Sequence, residues 1–258
     1  MILPERGPAE IREMNIAFNR MVRDIQQAEA DREIMLAGIS HDLRTPLARM
    51  RLEIEMSQVS DETKQAIDED LAQINHSIEQ LMEYARPATS APEQGINISP
   101  ILHEIYERER PHTESLDGTL AANIEENLWA KIASHDLKRI VINLIENARR
   151  YGRCQKTNQA KISIKAYQSG QQILIDVKDQ GVGIAQNEIQ RLLRPFSRGE
   201  SARTGVSGAG LGLAIIERLL RQVDGNLQLL SAPNGGLCAR VILPKMRPAK
   251  KTTKTPPS

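Results

Sequence analysis

His41 is the first residue along the chain whose setting suits chemistry. It lies in Ser40-His41-Asp42-Leu43-Arg44-Thr45-Pro46-Leu47. A neutral imidazole is a nitrogen nucleophile at physiological pH. Asp42 beside it can hold the proton on the other ring nitrogen, which fixes the tautomer and stabilises positive charge. At about 100° per helical residue, His41 stands roughly 200° from the apolar positions Ile39 and Leu43, so it projects outward. Pro46 removes one helical hydrogen bond and should bend the helix just beyond His41. On this stretch alone, a surface histidine near a helix bend is an equal alternative.

Three later groups suit a phosphate ligand. In Asn143-Leu-Ile-Glu-Asn147-Ala-Arg-Arg150-Tyr151-Gly152, the two asparagines share one helix face. Amide oxygens there can ligate a hard cation held mainly by phosphate, which suits magnesium. Arg150 and Tyr151 would add a charge and a stacking ring. Taken alone, the asparagine pair reads more readily as solvated amides. Asp179-Gln-Gly181-Val-Gly183 follows a strand, and its glycines let the backbone approach a flat ligand closely. The Asp179 carboxylate can accept from the exocyclic amine of adenine, although Asp-x-Gly is also a common turn. Ser207-Gly208-Ala-Gly210-Leu211-Gly212-Leu-Ala opens a helix, where backbone N–H groups and the helix dipole favour an anion. It lacks the lysine and hydroxyl of a P-loop and lies outside any βαβ unit. The polar run from Arg194 through Pro195-Phe196 to Val206 is a candidate lid.

The elements that must position these groups follow from periodicity. Between Pro8 and Arg86, glycine and proline are confined to Gly38 and Pro46. Apolar residues recur at helical spacing as Ile39, Leu43, Leu47, Met50, Ile54 and again as Ile67, Leu71, Ile74, Ile78, Leu81. Ser57 to Thr63 is polar and carries the cap candidates Ser60 and Asp61, so an αα-hairpin is expected. One hairpin buries little, and two of them make a four-helix bundle, hence a homodimer. Residues 87–98 read as a linker. Beyond them, helices near Ile101–Glu109, Leu137–Arg149 and Leu211–Val223 alternate with strand pairs. The pairs are Lys161–Tyr167 with Gln172–Lys178, and Asn226–Leu230 with Cys238–Leu243. This predicts an α/β sandwich with one sheet face covered. Residues 245–258, rich in Lys, Thr and Pro, read as a disordered tail.

Composition narrows the function. A net charge of +1 gives no basic field for nucleic acid, and 3% aromatic content disfavours base-stacking platforms. Cys154 and Cys238 make neither a disulfide framework nor a metal cluster, which suits a reducing, cytoplasmic setting. No run is apolar for the roughly 18 to 20 residues a membrane span needs.

In this order, the four groups resemble the boxes of the two-component sensor histidine kinases. Ser40 to Leu47 is similar to the H box, Asn143 to Gly152 to the N box, and Asp179 to Gly183 to the first glycine box. Pro195-Phe196 is similar to the F box and Gly208 to Gly212 to the second glycine box. The resemblance covers about residues 30–243. It implies a dimerisation and phosphotransfer bundle over 29–86 and a Bergerat-type (GHKL) ATP-binding domain over 99–244. It also implies ATP and Mg2+ as cofactors and the receiver domain of an OmpR-type response regulator as partner. Residue by residue, it makes His41 the phosphorylated histidine, Asp42 its acidic assistant and Thr45 a residue used in dephosphorylating the regulator. Asn147 becomes the magnesium ligand beside Asn143, and Asp179 the adenine-reading carboxylate. Arg150, Tyr151, Gly181, Gly183, Gly208, Gly210, Leu211 and Gly212 complete the nucleotide site.

Gly7-Pro-Ala-Glu-Ile11 and Ala17-Phe-Asn-Arg-Met21 resemble the later half of a HAMP linker, here 1–28. That implies a parent receptor in a bacterial inner membrane, with this part facing the cytoplasm. Two rivals compete: a chaperone or mismatch-repair type ATPase of the same superfamily, and a non-catalytic dimeric scaffold. The His41 box within paired helices argues against the first. Asn147, Asp179 and the glycines argue against the second. If His41 is the acceptor, His41→Gln takes no label from γ-labelled ATP. His76→Gln, outside the Asp-Leu-Arg-Thr-Pro context, keeps it. Autoradiography of both purified variants checks this, and a labelled His41→Gln chain would refute it.

Overall fold

The computed structural model describes residues 3–57, 59–85, 94–154, 157–185, 188–195, 197, 210–231 and 235–246. The chain divides into two compact units, Met1–Pro87 and Ala88–Ser258. Among the described residues, no helix is long and apolar enough to cross a membrane.

The first unit is the expected hairpin of α1 (Ala9–Glu55) and α2 (Asp61–Ala85). α1 begins after Pro8, whose fixed φ suits a helix start, and runs unbroken past residue 28 and through Pro46. Ser57 Oγ donates to Ile54 O at 2.7 Å where α1 stops. Ser60 caps α2 by accepting from Thr63 N–H at 3.3 Å. The seam of the hairpin is Leu47, Leu71 and Ile78, with Ile54, Ile67 and Met82 packed around them. Burial of each large apolar side chain contributes about 1.5–3 kcal/mol.

The apolar repeat of α1 therefore splits into two stripes, which the sequence had merged. Leu47 and Ile54 face α2, whereas Ile39, Leu43 and Met50 stay 43–44% exposed, as does Ile74 of α2 at 45%. Near the start of α1, the buried Asn19 clamps the backbone of Leu3. It accepts from Leu3 N at 2.8 Å and donates to Leu3 O at 2.9 Å. Composition alone gave no sign of that clamp.

The second unit is a five-stranded sheet with helices on one face. Its strands are β2 (Thr119–Ile124), β4 (Lys161–Ser169), β5 (Gln172–Lys178), β6 (Asn226–Ser231) and β7 (Leu237–Pro244), in the order β2-β4-β5-β7-β6. β1 (Ile96–Asn97) and β3 (Trp129–Ala130) form a separate antiparallel pair. The two expected strand pairs are present, and β5 and β7 join them. β2 was missed because its residues, Thr-Leu-Ala-Ala-Asn-Ile, carry little apolar contrast, although exposed and less exposed positions alternate along it. It pairs parallel with β4, so the sheet is mixed.

α3 (Ser99–Glu114), α4 (Ser134–Tyr151) and α6 (Gly212–Arg221) pack on this sheet, and α5 (Ile189–Leu192) is a single turn. α4 buries Leu137, Ile140, Val141, Leu144, Ile145 and Ala148, an apolar stripe at helical spacing. In β5, Ile173, Ile175 and Val177 are 0–3% exposed, the alternate positions of one sheet face. The unit starts earlier and ends later than expected. Ile98, assigned to the linker, is fully buried. Lys245 and Met246, assigned to the tail, donate backbone N–H groups to Gln171 O and Trp129 O at 2.9 Å. Residues 247–258 lie outside the described residues.

Arg149 pins the end of α4 to α3. Its Nη2 donates to Glu109 Oε2 at 2.8 Å, with both side chains about nine-tenths buried. Arg149→Ala leaves Glu109 Oε2 without its buried partner while the more exposed Arg108 keeps Oε1 at 3.3 Å, so the second unit should lose about 2–3 kcal/mol of unfolding free energy. Asp68→Asn, which breaks the exposed Arg51–Asp68 pair of the first unit (3.1 Å), should cost at most about 1 kcal/mol. Urea denaturation of both variants measures the contrast, and equal small losses would contradict it.

Candidate functional site

The nucleophile candidate sits on an open helix face. The His41 side chain is 82% exposed, as its helical phase predicts, and its Nδ1 lies 3.4 Å from Asp42 Oδ1. A proton shared there leaves Nε2 as the lone-pair nitrogen. Its chain neighbour Ser40 is buried at 5%, so the backbone beneath the imidazole is anchored. Thr45 Oγ1 is 3.4 Å from His41 O, one turn back along the helix, where Pro46 has no N–H to offer Asp42 O. In this arrangement the hydroxyl faces its own backbone, and it reaches the space beside His41 only by rotating.

In the second unit, Asp179 stands one residue beyond the end of β5. Its Oδ1 accepts two backbone hydrogen bonds, from Gly181 N at 2.9 Å and from Leu237 N at 3.0 Å. Among the described residues, Oδ2 accepts none. Gly152, the residue that caps α4, packs directly on the Asp179 side chain, and a Cβ there would overlap the Asp179 Cβ and the Ala148 carbonyl. A Cβ on Gly181 would come within 2.7 Å of both Gly152 Cα and Tyr151 O. Gly183 takes φ +78°, a left-handed conformation that glycine adopts without strain. These close approaches bring α4 and the loop after β5 against each other. Gly152 closed one of the expected boxes, but only the structure shows it seated on Asp179.

α6 meets the same helix further back. Gly212, the first residue of α6, lies against Asn143 and Asn147, and a Cβ there would sit 3.3 Å from Asn143 Oδ1 and from Asn147 Nδ2. Asn143 Nδ2 donates to Arg139 O at 2.9 Å, which orients its amide. The Asn147 amide makes no hydrogen bond among the described residues, so its oxygen is uncommitted. Asn147 and Gly152 are separated along α4 by about 7–8 Å at the helical rise. One helix thus carries an amide face at one end of the site and the seat of a carboxylate at the other. Tyr151 is 42% exposed at the end of α4, beside the half-buried Arg150. Gly210 takes φ +68°. Leu211 is fully buried, so its contribution to any ligand is its backbone. Gly208, Phe196 and most of the candidate lid lie outside the described residues.

Among the described residues, no cluster of three His, Cys, Asp or Glu side chains could hold a metal. A cation at this site would therefore rest on amide oxygen and on the ligand's own oxygens, which is how magnesium binds nucleotides.

Known proteins are similar to this chain in sequence and in fold. Residues 31–89 match the His Kinase A (phospho-acceptor) domain. Residues 133–247 match the family described as histidine kinase-, DNA gyrase B-, and HSP90-like ATPase. Sensor protein RstB of Escherichia coli K12 is 30% identical over 229 residues, 86% of this chain and 51% of that protein. Sensor histidine kinase CpxA of the same strain is 28% identical over 247 residues, 93% of this chain and 53% of that protein. The chain spans about half the length of these curated relatives. Among solved structures, full-length ShkA in complex with AMPPNP gives a TM-score of 0.61 at 23% identity, covering 82% of this chain and 46% of that one. The Acinetobacter baumannii histidine kinase AdeS gives 0.55 at 18% identity, covering 79% and 97%. These structures show a shared fold.

Burial pushes the Asp179 carboxyl above the usual aspartate range, against the downward pull of the Gly181 and Leu237 N–H groups. A carboxyl whose pKa is higher folded than unfolded stabilises the fold only while protonated. That contribution is complete below the unfolded value, about 3.9, and is lost as pH rises through the folded value. Above that folded value the ionised Asp179 is therefore a net cost. Asp179→Asn should melt higher than the wild type at pH 7, and the gap should close as pH falls through the raised pKa. Calorimetric melting of both chains across that range tests this, and a gap that widens in acid would contradict it.

Proposed function

We infer the activity from one premise: the chain belongs to the two-component sensor histidine kinases. It is an ATP-dependent protein-histidine kinase that phosphorylates His41 and passes the phosphoryl group to an aspartate of an OmpR-type response regulator. The observation that carries this reading is an exposed imidazole whose Nδ1 faces the Asp42 carboxylate.

The steps follow from the side chains. The adenine amine of ATP donates to Asp179 Oδ2, the oxygen that the fold leaves open. Backbone N–H groups at the start of α6, from Gly210 to Gly212, face the phosphates, with the helix dipole favouring negative charge. Asn147, with Asn143 beside it, supplies amide oxygen to Mg2+. When bound, the ion neutralises phosphate charge. His41 Nε2 attacks the γ-phosphorus, forming an N–P bond as the P–O bond to ADP breaks. The ring becomes cationic, and Asp42 stabilises it through Nδ1–H. In the second transfer the N–P bond breaks, and an aspartate oxygen of the receiver domain takes the phosphoryl group.

The exposed stripe of Ile39, Leu43, Met50 and Ile74 supports a homodimer in which two hairpins make one four-helix bundle. The HAMP-like start and the sensor proteins among its relatives support a parent receptor in the inner membrane. The stretches 1–28 and 29–86 then serve as signal input and phosphotransfer, and the second unit, from Ile96 to Met246, as ATP binding.

Dephosphorylation of the regulator is a second activity of the same bundle. It uses the Thr45 hydroxyl, one turn from His41, to orient water at the phosphoaspartate. With magnesium and γ-labelled ATP, the chain should acquire label that acid removes and base spares, as a phosphohistidine does. Acid-stable label, or none, would contradict the kinase reading. Thr45→Ala should keep most of that label and lose regulator dephosphorylation. Parallel loss of both rates with a lowered melting temperature would make Thr45 a helix-bend residue only.

A further inference from the structure

The end of the β6–β7 hairpin lies outside every box that marks the nucleotide site, yet it touches Asp179 at three points. Asp179 N donates to Leu237 O, and Leu237 N donates to Asp179 Oδ1, both at 3.0 Å. The next rungs of the ladder are the regular pairs Lys178–Cys238, Val177–Ala239 and Asp176–Arg240. In a regular antiparallel rung the two residues exchange both bonds through their main chains. In this terminal rung the carboxylate replaces the main-chain carbonyl of Asp179 as acceptor. The displaced carbonyl faces Gly236, where a Cβ would overlap it. Gly236 takes φ +91°, a left-handed conformation. Register here is locked from the other sheet face, where the Arg240 guanidinium forks onto Asp176 at 2.7 and 2.9 Å and reaches Tyr167 Oη at 3.3 Å.

We propose that Gly236 and the backbone N–H of Leu237 are positioning elements for base selection, fixing Asp179 so that Oδ2 alone faces the purine edge. The proposal rests on the adenine reading of Asp179 and adds a second strand to that site. With Oδ1 held by two donors, the carboxylate cannot swing. It offers one acceptor oxygen in one direction, which welcomes a 6-amino group and repels a 6-oxo group. Charge repulsion and a lost hydrogen bond act together against the wrong base. Burial raises the cost of leaving that oxygen unpaired.

The neighbouring glycine supplies a matched control. Gly235 takes φ +84°, as strained for a side chain as Gly236, but the nearest atom to its Cβ would be Gly181 O at 3.7 Å. Leu237→Pro removes the N–H at issue and sets the ring Cδ against Asp179 Oδ1, so that oxygen loses this hold on either count. Leu237 is the first residue of β7, a position where proline is tolerated.

The test is calorimetric affinity for ATP and for inosine triphosphate, with magnesium, on the full chain and its variants. The expected result is a drop of about tenfold in the preference for ATP over inosine triphosphate in both Gly236→Ala and Leu237→Pro. Affinity for inosine triphosphate should hold, and Gly235→Ala should keep the wild-type preference. Leu237→Pro with the wild-type preference would overturn the proposal, and it speaks even if Gly236→Ala does not fold. Gly235→Ala losing as much preference as Gly236→Ala would also overturn it, since turn strain alone would then suffice. Asp179→Asn separates the two levels. If it loses the preference while Leu237→Pro keeps it, only the hairpin's role falls. If Asp179→Asn keeps the preference, the adenine reading itself falls and the proposal with it.

Discussion

The second unit is organised around one half-buried carboxylate. Asp179 gives up water, and two backbone N–H groups on a single oxygen only partly offset that loss, which is why its pKa stays raised. A charge held this way is a standing cost to the fold. It persists because three backbone segments meet around it: the end of α4 at Gly152, the loop after β5 at Gly181 and the start of β7 at Leu237. No side chain fits between them. The glycines matter through the space they leave as much as through their backbone freedom. The rest of the unit serves that meeting point. The α4 stripe seats the helix on the sheet, Arg149 ties its end to α3, and the Asp176–Arg240 fork holds β5 in register with β7.

The first unit answers to the opposite constraint. A phosphoryl acceptor, the role proposed for His41, must be reached by two large partners in turn, and the side chain stands 82% exposed on its helix face. Its pairing with Asp42 sits in water, where it is electrostatically weak but sufficient to choose a tautomer. Stability comes from elsewhere, the Leu47–Leu71–Ile78 seam below. The apolar stripe of Ile39, Leu43 and Met50 is left over by a two-helix packing. The proposed chemistry divides accordingly, with a half-buried, backbone-held carboxylate to read the nucleotide in one unit and an exposed imidazole as nucleophile in the other.

Much of this was legible from residue order. The αα-hairpin, its Ser60 cap and the strand pairs followed from periodicity, and the phase of His41 from helix geometry. Local pattern failed where contacts between distant segments decide the outcome. The split of the α1 repeat into two stripes needs α2 in place. β2 is recognisable only once β4 lies beside it. Ile98 and Met246 read as linker and tail because their backbone partners, Leu128 and Trp129, are distant in sequence. In the site, Asp179 and the asparagines stood out by residue type. Gly236 and Leu237 did not, because a glycine in a Pro-Asn-Gly-Gly turn signals a turn, and a backbone N–H carries no sequence signal at all.

The most direct measurement is a crystal structure of this chain with magnesium and a non-hydrolysable ATP analogue. The account predicts the adenine amine on Asp179 Oδ2, with Oδ1 still held by Gly181 and Leu237, and the phosphates at the start of α6 beside Asn147. A nucleotide whose base sits away from Asp179, or an Asp179 that abandons both backbone donors to reach it, would contradict the account.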